Sequence, residues 1–221
     1  MKKHPILFSG DMVRAILDGR KTQTRRVIKR LSSVGEISEF GHSPTIGYDF
    51  DFRGKHKLWN SMSLESVLDR CPYGQPGDLL WVKQTWRRST PNLPDGIQYR
   101  ANNLLIYFDN SNKGRAAREW ANEKSIPRDG VWRSPRFMPK ICANIWLRVK
   151  DIRVERVQDI VGSHHNCIFD IDAEGLPASQ IYSEKGKIEW FKTLWDSINE
   201  KRGFGWDVNP HVWVVEFEVV K

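Results

Sequence analysis

The sequence predicts an α+β domain, and three patterns carry that prediction. The stretch Ile141 to Val157 alternates, with Ile145, Leu147 and Val149 on one side and Asn144, Arg148 and Lys150 on the other, as a half-buried strand does. The closing HVWVVEFEVV repeats that period, with Trp213, Val215, Phe217 and Val219 facing one way. Two further stretches, Met12 to Leu17 and Trp190 to Ile198, space their apolar residues as helices do. At 221 residues the chain is read as one elaborated domain, 1–221, with no repeat, low-complexity tract or Pro-rich linker to divide it.

The elements follow in order. Ile6, Leu7 and Phe8 form a short apolar strand. Ser9 or Asp11 caps the first helix, and Gly19 stops it. The segment from Arg20 to Arg30 starts as a loop and ends as a strand at Val27 and Ile28. Residues 31–70 are rich in Ser, Gly, Asp and His with little period, and are read as a large irregular insertion. Pro76-Gly77-Asp78 is a turn that opens a strand at Leu79 to Val82, running on towards Trp86. A second irregular insertion spans 87–139, with a polar helix at Asn112 to Glu123. Ser163 caps a helix that passes His164, His165, Ile168 and Ile171, and Gly175 ends it in a left-handed turn with Glu174 in the last turn.

Charge speaks to partners rather than to fold. The excess of 35 Lys and Arg over 27 Asp and Glu leaves a formal +8, which favours an anionic partner. The three cysteines, Cys71, Cys142 and Cys167, form no CxxC pair, so neither a disulfide framework nor a zinc knuckle is expected and a reducing cytoplasm fits. The apolar run near the start is broken by Ser9, Gly10 and Asp11, too early for a signal segment, and no 18-residue apolar run is present to span a membrane. His164, His165 and Cys167 are close in sequence, yet successive helical residues point apart and no second ligand pair accompanies them, so no metal and no cofactor is expected. The ten Trp and ten Phe serve first as core and rim. Trp206, on the GFGWDVNP loop, is the candidate to cover a ligand, although Gly and Asn there also simply turn the chain.

The residues that point to chemistry lie in GRKTQTRR, Gly19 to Arg26. Arg20, Lys21, Arg25 and Arg26 supply cations, and Thr22 and Thr24 supply hydroxyls, a set suited to an anionic ligand or to a solvated basic strand. In an extended chain Thr22 and Thr24 share one face and Lys21, Gln23 and Arg25 the other, so Lys21 meets a threonine only if the backbone bends.

The segments PILFSGDMVRAILDGRKTQTRRVI, CPYGQPGDLLWVKQTW, VERVQDI, DAEGL and LWDSINEKRGFGWDVNPHVWVVEFEVV together resemble prophage-type members of the ASCH family. Both ends and the middle of the chain carry the resemblance, and the two insertions do not. It implies a PUA-like mixed β-barrel with flanking helices, acting on RNA or a modified nucleoside or nucleotide. The family's Gly-x-Lys-Thr-x-Thr-x-Arg signature is met by Gly19, Lys21, Thr22, Thr24 and Arg26. In the acetylcytidine amidohydrolase branch the matching positions are catalytic, which places the roles on Lys21, Thr24 and, through the Ala-Glu-Gly segment, Glu174. Many ASCH proteins carry an acidic residue where this chain has Thr24, and the compact enzymes lack its insertions. The resemblance thus implies an amide hydrolase in which Thr24 Oγ attacks, Lys21 takes the hydroxyl proton with its pKa lowered by neighbouring cations, and Glu174 serves the leaving amine. A noncatalytic RNA-binding module and a ribonuclease using the same cations are the rivals.

Overall fold

The computed structural model describes residues 1–54, 56–161, 167–177 and 183–220. In chain order its elements are β1 (Lys3–Leu7), α1 (Gly10–Leu17), β2 (Gln23–Val27), β3 (Arg30–Leu31), β4 (Gly35–Glu36), β5 (Glu39–His42), β6 (Phe50–Arg53), β7 (Trp59–Met62), α2 (Leu64–Leu68), β8 (Leu79–Lys83), β9 (Trp86–Arg88), β10 (Gly96–Tyr99), β11 (Leu105–Tyr107), α3 (Asn112–Glu123), β12 (Trp146–Arg156), α4 (Cys167–Ala173), α5 (Glu184–Asn199) and β13 (His211–Val219). The class is α+β. The largest sheet has the order β1-β8-β12-β13-β2, with β1 and β2 at its edges. No helix among the described residues is long and apolar enough to cross a membrane.

The chain forms two compact units, one of Met1–His4, Gly19–Leu79 and Arg148–Glu218, the other of Pro5–Asp18, Leu80–Leu147 and Val219–Lys221. In the first, β13 pairs antiparallel with β2, setting Val212 opposite Val27, Val214 opposite Arg25 and Val215 opposite Thr24. Val212, Trp213, Val214 and Val215 are all buried, so both faces of this strand are covered, which is why its apolar run is nearly unbroken. One face packs Val212 and Val214 with Val157, Ile160, Ile171, Phe191 and Trp195, closing a core beneath α4 and α5. Along β12 the alternation slips: Lys150 and Asp151 are both exposed between buried Val149 and Ile152. After the slip, Arg153 and Glu155 share a face with β2's charged residues.

In the second unit, Met12 N donates to Ser9 Oγ at 3.5 Å to cap α1; Gly19, just past its end and the first residue of the other unit's next segment, has φ +74°. A separate core gathers Trp81, Trp86, Ile97, Tyr99, Phe108 and Met138 against Ala117 and Ala121 of α3. Arg88 and Asp95 seal its edge with a paired contact at 2.6 Å.

Neither insertion is irregular. Within 31–70, β5, β6 and β7 form an antiparallel meander, and within 87–139, β10 pairs with both β9 and β11. Their strands have only three or four residues. At that length a period of two has no room to declare itself, although Phe50-Asp51-Phe52-Arg53 carries it, with both rings buried. The helix that ends at Ala173 is present, while its expected cap, Ser163, lies outside the described residues.

Candidate functional site

Gly175, at φ +96°, turns the chain out of α4 and leaves Glu174 facing the start of β2. Thr22 N donates to Ala173 O at 2.9 Å, and Phe217 N donates to Thr22 O at 2.8 Å. An antiparallel bridge between Lys21 and Glu174 completes the junction. Backbone hydrogen bonds therefore fix two segments 153 residues apart before any side chain is considered.

On this frame the Lys21 amine donates to both Glu174 Oε2 and Glu174 O, each at 2.8 Å. The lysine side chain is 0 % exposed and the glutamate 4 %. Burial pushes the Lys21 pKa below its ordinary value, Glu174 opposes that shift, and Arg26 and Arg25 add to it. Loss of water, rather than the crowd of cations that the resemblance implied, is the leading cause.

Arg25 extends the cluster. Its guanidinium donates to Glu174 Oε1 at 3.2 Å, Glu155 Oε2 at 3.2 Å and Asp170 Oδ2 at 2.9 Å. Arg153 donates to the same Asp170 oxygen at 3.1 Å and also binds Glu155 and Glu216. Side-chain exposure rises along the network from nothing at Lys21 to 40 % at Glu216, so it is dry at one end and wet at the other. Among the described residues, hydrogen bonds thus tie three cations, Lys21 before β2, Arg25 on β2 and Arg153 on β12, to four carboxylates, Glu155 on β12, Asp170 on α4, Glu174 after it and Glu216 on β13. The cations of GRKTQTRR that lie deepest are neutralised from within the protein.

Thr24 is placed differently. The pairing register puts it opposite Val215, on the sheet face of Trp213 and Phe217, whereas Arg25 lies opposite Val214 on the α4 face. Lys21, Gln23 and Arg25 all reach α4 or Glu174, so the alternation runs on through Lys21 without a bulge. Thr24 is buried, and among the described residues no hydrogen bond joins it to Lys21 or Glu174. Lys21 and Glu174 come together, and Thr24 stands on the other side of the strand.

The remaining candidates divide. Arg20 clamps the turn after α4, donating to Gly175 O at 3.2 Å and Leu176 O at 3.0 Å. Thr22 is exposed at its side chain and acts through its backbone, and Arg26 is half-buried on the face of Thr24. Trp206, half-buried, packs edge-on against Phe191 of the core, ring centres 6.0 Å apart. Asp170, Glu155, Arg153 and Glu216 were not foreseen; the alternating Arg153-Val154-Glu155 was their one sequence signal. Among the described residues no group of His, Cys, Asp and Glu is placed to hold a metal ion. His164, His165 and the side chain of Cys167 lie outside those residues.

No family model, curated protein or solved structure matches the chain.

Proposed function

We propose that the chain is an ASCH-type protein, its five-stranded sheet the wall of a PUA-like barrel, that binds RNA or a modified nucleoside without transforming it at Lys21. The observation that carries this reading is the sealing of Lys21. A general base must come within hydrogen-bond reach of the proton it abstracts. Here the amine has no exposed surface and is already held by two oxygens of Glu174. A buried, mutually bonded set of ions is a brace between strand and helix end, whereas the formal +8 of the whole chain supplies the attraction for a phosphate backbone.

An amide hydrolase acting on an acylated nucleoside is the second reading, and one contact favours it: the lysine and glutamate that the resemblance singles out do meet, at 2.8 Å. One pair of assays separates the two. Binding to a single-stranded RNA is measured across a salt series, and release of free cytidine from N4-acetylcytidine is followed in parallel. Binding that weakens steeply with salt, with no cytidine released, is the expected result. Cytidine release that a folded Thr24→Val variant loses would overturn it in favour of the hydrolase, and RNA cleavage in metal-free buffer would favour a ribonuclease.

A further inference from the structure

At the other end of β2, in the same unit, a cleft of about 640 Å³ opens beside Val27 and Ile28. Neither Lys21, Thr24 nor Glu174 lines it. About 20 Å of extended strand separates Lys21 from Val27.

The cleft is walled by Phe40, Trp59 and Phe204, and His211, Asp51 and Arg156 contribute its polar groups. His211 is 4 % exposed, and among the described residues neither of its ring nitrogens has a hydrogen-bond partner of normal geometry. Asp51 Oδ1 is also buried without a partner among the described residues, on the opposite face of the meander from Phe40 and Phe50. The His211 ring stands edge-to-face with Phe40, His42 and Phe50 at centre distances of 5.4, 5.0 and 5.7 Å. The Phe40 backbone lies near it but makes no hydrogen bond of normal geometry. A buried polar atom without a partner costs about 1–3 kcal/mol, and native structures keep few of them without a reason.

We propose that this cleft is a nucleobase-binding site. A neutral imidazole offers one donor and one acceptor. That pair matches the edge of a flat heterocycle that carries an amino group and a ring nitrogen. The aromatic walls suit its π faces, and the volume lies within the range of small-molecule sites. A simple carboxylate is disfavoured, because Glu39 and Asp51 both line the cleft. Lys29, its amine 3.9 Å from the centre of the Phe204 ring, and Arg156 give the rim cations that a phosphate attached to the base would meet.

This inference rests on the binding reading and gives it a location, but free nucleosides test it without phosphate. The four ribonucleosides and a short single-stranded RNA are titrated into the full chain. Imidazole nitrogen resonances and calorimetry are the readouts, for wild type and for His211→Phe, whose folding is checked by thermal melting. We expect at least one nucleoside to bind and to move the His211 resonances, with affinity falling about tenfold or more in His211→Phe. Undiminished affinity in that variant, or no response to any nucleoside, overturns the site. RNA binding without nucleoside binding removes the cleft and leaves the charge-driven reading. Nucleoside binding without RNA binding keeps the cleft, identifies free nucleosides as the source and removes the RNA reading.

Discussion

Two buried polar groups in one unit, Lys21 and His211, show opposite bookkeeping. The Lys21 amine, with no side-chain exposure, is bonded by a carboxylate and a carbonyl, and the Arg25 beside it reaches three carboxylates. The His211 ring, almost as dry, has no hydrogen bond of normal geometry at either nitrogen among the described residues. In the first arrangement the Lys21 amine is satisfied within the protein and Arg25 keeps one buried Nε without a partner among the described residues, so a ligand has to break something to reach the lysine. The second is incomplete, so a ligand gains what the fold leaves unmade. Dense charge is thus a weaker pointer to a binding site than a few unsatisfied atoms beside open space.

The largest expected effect tests the complete side. Lys21→Ala leaves Glu174 buried with Arg25 as its one charged partner among the described residues, and breaking a buried pair from one side costs roughly 3–5 kcal/mol. Urea unfolding should show that as a lower midpoint at unchanged slope. In Lys21→Met/Glu174→Leu both charges leave together, and Arg25 retains Asp170 and Glu155. That double variant should lose much less than the single one. A single variant as stable as wild type would show that the pair braces nothing.

The incomplete side predicts a pH effect. Burial, with Arg156 and His42 nearby, holds the His211 pKa down to about 4, against small opposing effects from Phe40 and Asp159. The unfolded chain takes up that proton near pH 6.5 and the folded chain only near 4, so the unfolded state binds more protons between those values. Stability attributable to His211 is therefore full above pH 6.5 and is lost as pH falls towards 4, by up to about 3 kcal/mol. Comparing wild type with His211→Phe at pH 7 and pH 5 isolates it from the carboxylates. Parallel pH dependences in the two proteins would mean that the ring is not held neutral.

What the sequence made legible follows the range of the signals. The cap at Ser9, the turn at Gly77, the bounds of α3 and the period of β13 are written in neighbouring residues and stand where local reading put them, whereas β12 begins at Trp146 rather than Ile141 and its alternation slips at Lys150 and Asp151. The strands of the two meanders are too short for that. In the site, Lys21 and Glu174 could be paired only through a resemblance, because 153 residues part them. Nothing local announces that Arg25 meets Glu155 and Asp170, which lie 130 and 145 residues away, so a run of cations reads as a surface for ligands until its internal partners are seen. The unsatisfied His211 was equally invisible, since a missing hydrogen bond has no sequence pattern at all.

The smallest effect concerns the turn that delivers Glu174. Gly175 has φ +96°, its N–H donates to Asp172 O at 2.9 Å, and its carbonyl is gripped by Arg20 at 3.2 Å. A Cβ in this region of backbone space is strained, so Gly175→Ala should cost about 1–2 kcal/mol in thermal or urea unfolding, less than removal of Lys21. The cleft at the far end of β2 should bind nucleosides unchanged in that variant. Asn tolerates positive φ better than Ala because its short polar side chain bonds locally, so Gly175→Asn should be the milder change. Equal losses for Ala and Asn would show that the penalty arises from crowding at the turn rather than from its handedness, and would weaken the idea that this one conformation aims Glu174 at Lys21.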